Sequence, residues 1–393
     1  MLSITVDINN AWLSAFLALV VIVLLMTLTA LVLIYVERKF SARIQMRLGP
    51  MRVGPHGTLQ TIADAIKLLA KEDLRPRSAD RWVFELAPFA IFVPAFLAFV
   101  AIPFTRDWAV SFLDLGLFYV IAVTGLSFVG FLMAGWGSDN KYALLGGMRA
   151  AAQLISYEVP LVLALLAVSM VAGSLSLSDI VVFQGRVPLF VWQPLALYIF
   201  IVAALSELER QPFDIPTAES EVVGGPFIEY SGIRWSMFML TSYANLFIYS
   251  LLGALVFLGG WDWPLGREIG LGWQLVLIFA KTSFLILVFM WFRFTFPRLR
   301  IDQLMSYCWK VLIPLAFLQI FLNGLVLVYE WPDGILLLTS GAGLLLAGYI
   351  VYRAVRAEPR RVRLVPARGS GTVAVPPQTA GAEVGGAGTG GSG

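Results

Sequence analysis

The sequence predicts an all-α protein that crosses a membrane several times, and three observations lead to this fold class. Of its 393 residues, 59% are hydrophobic and only 13% are charged, whereas a soluble domain has about 45–50% apolar and about 25% charged residues. The mean hydropathy is +0.82. The apolar residues also form long runs, and a helix of roughly 20 apolar residues can cross the hydrocarbon core of a bilayer.

Nine apolar runs are candidates for membrane helices. The first is too long for the core of a cleaved signal peptide and lacks a basic segment before it, so we expect it to remain in the protein. The fifth and the ninth are the shortest. The predicted spans are 11–36, 84–104, 114–136, 150–172, 190–207, 235–259, 273–296, 309–329 and 335–352.

The positions of Lys and Arg predict the orientation of the bundle. Alternate loops carry most of the basic residues, whereas the opposite side has only Arg106, Arg186 and Arg267. By the positive-inside rule the N-terminus is outside and the C-terminus is cytoplasmic. We expect residues 1–357 to form the bundle, with cytoplasmic loops 37–83 and 208–234. We expect the Gly-, Pro- and Ala-rich tail, 358–393, to be disordered.

The first cytoplasmic loop is too long and too patterned for a simple connection. It carries many basic residues, then the breaks Gly49-Pro50 and Gly54-Pro55. The segment 58–70 that follows has apolar residues at helical spacing, with Asp64 and Lys67 away from that stripe. This pattern predicts a helix lying flat at the interface, its polar face toward water or another protein. The alternative is a surface linker whose basic residues bind anionic lipid head groups.

The second cytoplasmic loop is rich in carboxylates. One interpretation is a solvated acidic loop. The other is a wall of carboxylates that pairs with the arginines of the first loop and titrates near neutral pH, because close carboxylates raise the pKa of one another. The six acids, counted from the end of the fifth span, are Glu207, Glu209, Asp214, Glu219, Glu221 and Glu229.

Three ionisable residues are predicted to lie at membrane depth. Glu158 is placed about two turns into the fourth span, Glu207 at the end of the fifth, and Lys281 in the seventh. An ion at the bilayer centre costs at least about 2.5–3.5 kcal/mol, so such residues form buried ion pairs or line proton or ion paths. We expect Glu207 to matter more than Glu209, because helical residues two positions apart point to different faces.

The composition excludes several kinds of cofactor site. The chain has one cysteine, Cys308, and one histidine, His56, so it cannot form an internal disulfide, a Cys-ligated zinc or iron–sulfur site, or a metal site with several histidines. We therefore expect no metal and no covalently bound cofactor. The net charge of +3 reflects topology, and we expect no nucleic acid as a partner.

Four long motifs together resemble the H subunit of respiratory complex I, the NADH–quinone oxidoreductase. The resemblance runs in order over roughly residues 11–350. It implies a slanted helix bundle in a bacterial cell membrane, with quinone as the substrate and with lipid and the membrane-arm and hydrophilic-arm subunits as partners. Electrons then come from a partner's cluster, and the chain is inert alone. The motifs are ERKFSARIQMRLGPMRVGPHGTLQTIADAIK, LLGGMRAAAQLISYEVP, RQPFDIPTAESEVVGGPFIEYSGI and PRLRIDQLM.

The resemblance also assigns expected roles to individual residues. It places Glu37, Arg38, Arg43, Arg47 and Asp64 at the quinone chamber and its docking surface. It places Glu158, Glu207, Asp214, Glu219, Glu221 and Glu229 on the proton path into the membrane arm. From the residue pattern we add Lys67 to the first set and Lys281 to the second.

The sequence matches the family pattern better in the quinone-facing loops than in the membrane relay. Family members typically carry a glutamate in the third span and another at the start of the sixth, where this chain has Gly125 and Ser242. Conversely, Glu85 and Glu209 are acids at positions where the family pattern has none.

Three other functions compete with this interpretation. The membrane anchor of an ion-translocating hydrogenase or formate hydrogenlyase has a similar fold, and a quinone-binding assay distinguishes it. A secondary transporter usually has an internal repeat, and the two halves of this sequence show none. A purely structural scaffold would gain nothing from buried charges such as Lys281.

Overall fold

The computed structural model describes residues 11–185, 187–262, 270–332 and 334–356, and all regular structure in these ranges is helical. The tail expected to be disordered, together with Arg186 and Arg267, lies outside the described residues. The helices are α1 (Ala11–Ile44), α2 (Gln60–Ala70), α3 (Arg81–Ala98), α4 (Gly116–Gly125), α5 (Ser127–Gly137), α6 (Lys141–Ala172), α7 (Leu177–Phe183), α8 (Leu189–Trp192), α9 (Pro194–Glu207), α10 (Glu219–Val222), α11 (Gly232–Phe257), α12 (Leu271–Thr295), α13 (Ile301–Tyr307), α14 (Ile313–Val328) and α15 (Gly334–Arg356).

Within these ranges, eight helical segments are long and apolar enough to cross a membrane. They confirm the predicted all-α polytopic fold and eight of the nine predicted spans. Two of them are composite: α4 and α5 follow each other directly, and one π-helical turn joins α13 to α14. The eight segments are Leu19–Ile44, Arg81–Ala98, Gly116–Gly137, Lys141–Ala172, Gly232–Phe257, Leu271–Thr295, Ile301–Val328 and Gly334–Arg353.

The fifth predicted span, 190–207, is not one full-length helix. It is divided at Gln193 into the four-residue α8 and the 14-residue α9. Gln193 has φ −132° and ψ 60°, because the ring of Pro194 disfavours helical geometry in the residue before it. Fourteen residues rise about 21 Å, less than the roughly 30 Å of a hydrocarbon core. The apolar run therefore marks a buried helix, in which Leu195, Ile199 and Phe200 are fully buried.

Two helices are longer than their apolar runs predict. α1 continues to Ile44, so Glu37, Arg38 and Arg43 lie on its last turns and not in a loop. α6 begins at Lys141, where Asn140 caps it by accepting a hydrogen bond from the Tyr142 N–H. Glu158 consequently lies nearly five turns into the helix, not two. Hydropathy locates the edge of the membrane, whereas Glu, Lys and Arg are good helix formers that extend the helix past it.

The core lies where α6, α9 and α11 pack together. In α11, 83% of the most apolar 18-residue stretch is buried, against 22% in α1, so α11 is central and α1 peripheral. The Phe200 ring of α9 packs on the Phe257 ring of α11, with centroids 5.3 Å apart. Gly253 permits this approach, since a Cβ there would lie 2.8 Å from the Phe200 ring. The central helices thus form the packed base that supports the charged loops.

The orientation stays a prediction, and cysteine labelling tests it. Arg77 and Asp107 are exposed in loops on opposite ends of the bundle, and Cys308 is buried and will not react. We expect Arg77→Cys to react with a membrane-impermeant maleimide only from the cytoplasmic side, and Asp107→Cys only from the outside. Right-side-out and inverted membrane vesicles provide the two measurements. The reverse labelling pattern would overturn the orientation.

Candidate functional site

The candidate site is a cavity of about 1420 Å³ where the segment 208–234, called the acidic loop below, meets α11 and α12. Carboxylates, guanidiniums and aromatic rings line it together. This mixture allows an apolar group to enter while charged groups remain available to bind or transfer protons. We call it the charged cavity. Its ionisable side chains are Glu207, Glu209, Arg210, Asp214, Glu219, Tyr243, Arg293 and Arg298.

Glu37 forms the central ion pair of the cavity wall. It extends from the last turns of α1 and accepts hydrogen bonds from Arg210 Nη1 at 2.7 Å and from Arg293 Nη1. The Glu37 and Arg210 side chains are 8% and 4% exposed. The Arg210 guanidinium also lies 5.1 Å from the centroid of the Tyr243 ring. One carboxylate thereby joins α1, the start of the acidic loop and the end of α12.

The pairing of the two loops differs from the sequence-based expectation. The second interpretation of the acidic loop expected its acids to pair with arginines of the first loop. Among the described residues the acids come from the other side instead, since Glu37 at the end of α1 pairs with Arg210, and Asp73 before α3 pairs with Arg234 at 3.1 Å. The expectation failed because the sequence did not show which elements lie beside the acidic loop.

Three acids of the acidic loop pair with other elements. Asp214 binds Arg298 beyond α12 at 3.0 Å, and Glu221 binds Arg149 of α6 at 2.5 Å. Glu229 accepts a hydrogen bond from Asn140 Nδ2 at 2.7 Å. Glu219 lies exposed at the rim of the charged cavity. These contacts fix the loop on α6 and on the end of α12.

Of the remaining residues expected at the quinone chamber, three form a set of ion pairs and two are exposed. Arg38 of α1 binds Asp64 of α2 at 2.5 Å, and Lys67 lies 3.7 Å from the same carboxylate. Partial burial raises the pKa of Asp64, but the hydrogen bond and charge of Arg38 outweigh burial and hold that pKa below its usual range. Arg43 and Arg47 are exposed. The predicted amphipathic helix is confirmed as α2, joined to α1 by the Arg38–Asp64 pair.

Glu207 lines the charged cavity and has no cation bound to it among the described residues. Its side chain is 9% exposed, and its Oε1 atom is buried without a hydrogen-bond partner in that part of the chain. A buried ion pair was the alternative role for Glu207, but the nearby cation Arg210 binds Glu37. The described residues therefore do not form a structural Glu207–Arg210 pair.

We expected the side chains of Glu207 and Glu209 to point to different faces, and this is wrong. Glu209 follows the end of α9 with a positive φ of 49°, so helical spacing no longer applies, and both Glu207 and Glu209 line the same cavity. Burial, and then the nearby Asp214 carboxylate, raise the pKa of Glu209 to about 8. The sequence shows that residue 209 is an acid, but the direction of its side chain depends on the turn of the backbone after α9.

Gly125 and Ser242 occupy two different environments. A Cβ atom at Gly125 would lie 2.1 Å from Glu158 Oε1, so the Glu158 carboxylate fills the space beside α4 and this helix has no room for a side chain there. Ser242 lines the charged cavity together with Glu209. The structure thus places Glu158 against α4, at a distance from Glu207 over which their charges still interact.

Lys281 does not lie with the acids to which the sequence analysis assigned it. Its Nζ donates a hydrogen bond to the Asp262 carbonyl oxygen at 2.7 Å. Lys281 and Arg293 are 12 positions apart on α12, about 18 Å along the helix. The structure therefore separates Lys281 from the charged cavity.

Sequence analysis missed a set of polar contacts inside the bundle. The hydroxyls of Tyr198 and Tyr307 are hydrogen-bonded to each other, and the Tyr157 hydroxyl donates to the Leu304 carbonyl oxygen at 2.9 Å. Cys308 Sγ donates to the Ser156 carbonyl oxygen at 3.0 Å. Tyr157 and Tyr198 lie within apolar runs, and Tyr307 and Cys308 directly precede one; tyrosine and cysteine in such positions are typical of a packed core.

Comparisons with known proteins agree on one family. The family model described as NADH dehydrogenase matches residues 16–324. The chain is 50% identical over 294 residues to the H subunit of NADH-quinone oxidoreductase from Anoxybacillus flavithermus, covering 75% of this chain and 88% of that protein. The corresponding H subunits of Carboxydothermus hydrogenoformans and Geobacillus kaustophilus are 44% and 50% identical over 308 and 296 residues. These matches cover 78% and 75% of this chain, and 87% and 88% of those proteins.

Removing Glu37 should destabilise the chain strongly. In Glu37→Ala, Arg210 and Arg293 remain close together without their carboxylate, and breaking a buried pair costs about 3–5 kcal/mol. Thermal unfolding of the purified chain in lipid nanodiscs measures the loss. Glu72→Ala, at an exposed acid, is the control and should have little effect. Equal melting temperatures for the two variants would contradict the role given to Glu37.

Proposed function

This chain belongs to the H subunit family of NADH-quinone oxidoreductase, and we propose that it forms one wall of the quinone-binding chamber and links quinone reduction to proton movement. It is a multi-pass membrane subunit of an oxidoreductase complex, respiratory complex I. The single observation that supports the linking role best is the charged cavity: Arg210 of the buried ion pair lines it together with Glu207 and Glu209, whose Oε1 atoms have no hydrogen-bond partner among the described residues.

The quinone side of the proposal is supported by α1 and α2. The Arg38–Asp64 pair holds α2 against the end of α1. The apolar residues Ile62, Ile66 and Leu69 of α2 are exposed, which suits a helix lying in the membrane interface. A quinone has a long apolar tail and a polar head. An apolar surface below charged side chains provides a route for the tail and polar groups for the head.

Electrons must reach the quinone from outside this chain. One cysteine and one histidine cannot ligate an iron–sulfur cluster. Reduction of a quinone to a quinol consumes protons as well as electrons, so residues that hold protons near the quinone affect the reaction. The role proposed for this chain is to bind the quinone, exclude bulk water and supply protons through its carboxylates.

The environment of the chain follows from the same proposal. We place the protein in a bacterial cell membrane, with the N-terminus outside and the loops 37–83 and 208–234 in the cytoplasm. Hydrophilic-arm subunits then dock over these loops, and other membrane-arm subunits and lipids contact the exposed apolar helices. Exposed apolar residues along α1, such as Leu24, Leu28 and Val32, fit such contacts.

Arg38→Ala tests the quinone side. We expect a fall of about tenfold in quinone reductase activity, corresponding to about 1.4 kcal/mol, because α2 loses its ion pair with α1. Reduction of ferricyanide by the hydrophilic arm should be unchanged. Arg77→Ala, an exposed arginine of the same loop, is the matched control. A parallel fall of both activities in a fully assembled complex would argue against a quinone-specific role.

Glu207→Gln tests the link to protons. The substitution keeps the shape of the side chain and removes its titration. We expect proton pumping and quinone reduction to fall together, by roughly fivefold or more, because the two processes are coupled and a general acid–base group typically contributes about 10²–10⁴-fold. Both rates are measured in proteoliposomes that contain the assembled complex. Normal pumping by this variant would exclude Glu207 from the proton path.

A further inference from the structure

We propose that Glu209 is a second proton-exchanging acid of the charged cavity, which takes up a proton and passes it to Glu207 during turnover. The inference rests on the proposed function, since it adds a residue to the same link between quinone reduction and proton movement. The role is not part of the sequence-based proton path, in which Glu209 was expected to matter little.

The backbone places Glu209 in the cavity. After α9 ends, the Glu209 N–H donates to the Ser206 carbonyl oxygen at 3.1 Å, and φ of 49° turns the chain. Left-handed geometry is uncommon for a residue with a side chain. Its result here is that two acids separated by one residue line the same cavity, close enough for their charges to interact.

The buried acceptors of the cavity favour a protonated carboxyl. Glu209 Oε1, Glu207 Oε1 and Asn245 Oδ1 are buried acceptors without a donor among the described residues, and all three residues line the charged cavity. Each unpaired buried acceptor costs about 1–3 kcal/mol, and more when it is charged. A protonated carboxyl carries an O–H group and becomes a donor. Protonation of one carboxyl therefore removes a buried negative charge and adds a donor to this cluster.

The nearby cations are already bound to other acids. Arg210 and Arg293 bind Glu37, and Arg298 binds Asp214. Glu209 is therefore left without a bound cation among the described residues. Burial and Asp214 accordingly raise the pKa of Glu209 to about 8. The charged or titratable groups that face it across the cavity are Glu207 of α9, Arg210, Asp214 and Arg298 of the connecting segments, Glu219 of α10, Tyr243 of α11 and Arg293 of α12.

The proton transfer follows from this arrangement. Below about pH 8 the Glu209 carboxyl is neutral, and above it the carboxyl is ionised. The O–H bond of Glu209 breaks, and the proton passes through cavity water to form an O–H bond on the unpartnered carboxylate oxygen of Glu207. Glu209 then takes a new proton from the cytoplasmic side. A negative charge added to the cavity delays release and a positive charge promotes it.

The test compares Glu209→Gln, Glu209→Asp and the unmodified chain in the assembled complex in proteoliposomes. Quinone reductase rate and protons pumped per NADH are measured across a pH range that brackets about pH 8, where the unmodified complex should show a transition in rate. We expect Glu209→Gln to lose that transition and to pump at most half as many protons per NADH, whereas Glu209→Asp, which retains a carboxyl, keeps a transition. Glu72→Gln, at an exposed site away from the cavity, is the matched control and should behave as the unmodified chain.

Each outcome decides the inference. An unchanged pH profile and proton ratio in Glu209→Gln, with Glu207→Gln impaired, overturns the role of Glu209 and leaves the proposed function intact. Normal pumping in both variants overturns both. If Glu209→Gln fails to assemble, Glu209→Asp decides: a transition that moves to a new pH supports the role, and an unmoved transition assigns it to another group.

Discussion

The buried ion pair at Glu37 is the interaction on which the arrangement of this chain depends. Two charges taken out of water lose several kcal/mol of solvation each, and good geometry must offset that loss. Glu37 meets the requirement with two guanidiniums, of which Arg210 also packs on the Tyr243 ring. The three charged residues come from α1, the acidic loop and α12. The extension of α1 beyond its apolar run therefore has a structural purpose: it delivers Glu37 to the other two elements.

The same ion pair explains why other acids of the cavity have no cation bound to them in the described part of the chain. Because Arg210 and Arg293 bind Glu37, neither is bound to Glu207 or Glu209, and a buried oxygen without a partner is costly. Within the described residues the cavity thus contains paired acids that hold the structure and unpaired acids that favour a bound proton. This division separates Asp214, which binds Arg298, from the two acids assigned to proton exchange. Lys281 binds a carbonyl oxygen elsewhere in the bundle and does not belong to this site.

Much of the fold could be predicted from the sequence, because hydropathy and periodicity record which residues face lipid or a core. Eight spans and α2 were predicted in this way. The division at Gln193–Pro194 was missed because an apolar run has the same composition whether one helix or two form it. The ion pairs could not be predicted, since Glu37 lies 173 positions from Arg210 and 256 from Arg293. The position of the Glu209 side chain depends on the left-handed backbone conformation of Glu209 itself. The residue type does not indicate that conformation.

If the Glu37–Arg210 pair positions the acidic loop for quinone reduction, the two residues must act together, and a double-mutant cycle measures this most directly. Quinone reductase rates of Glu37→Gln, Arg210→Gln and the double variant in the assembled complex yield the coupling free energy. Residues in direct contact show coupling of about 0.5–3 kcal/mol, whereas independent sites add within about 0.3–0.5 kcal/mol. The account predicts coupling of at least about 1.5 kcal/mol, since the second substitution removes a charge that the first has left unpaired. Additive effects would contradict it.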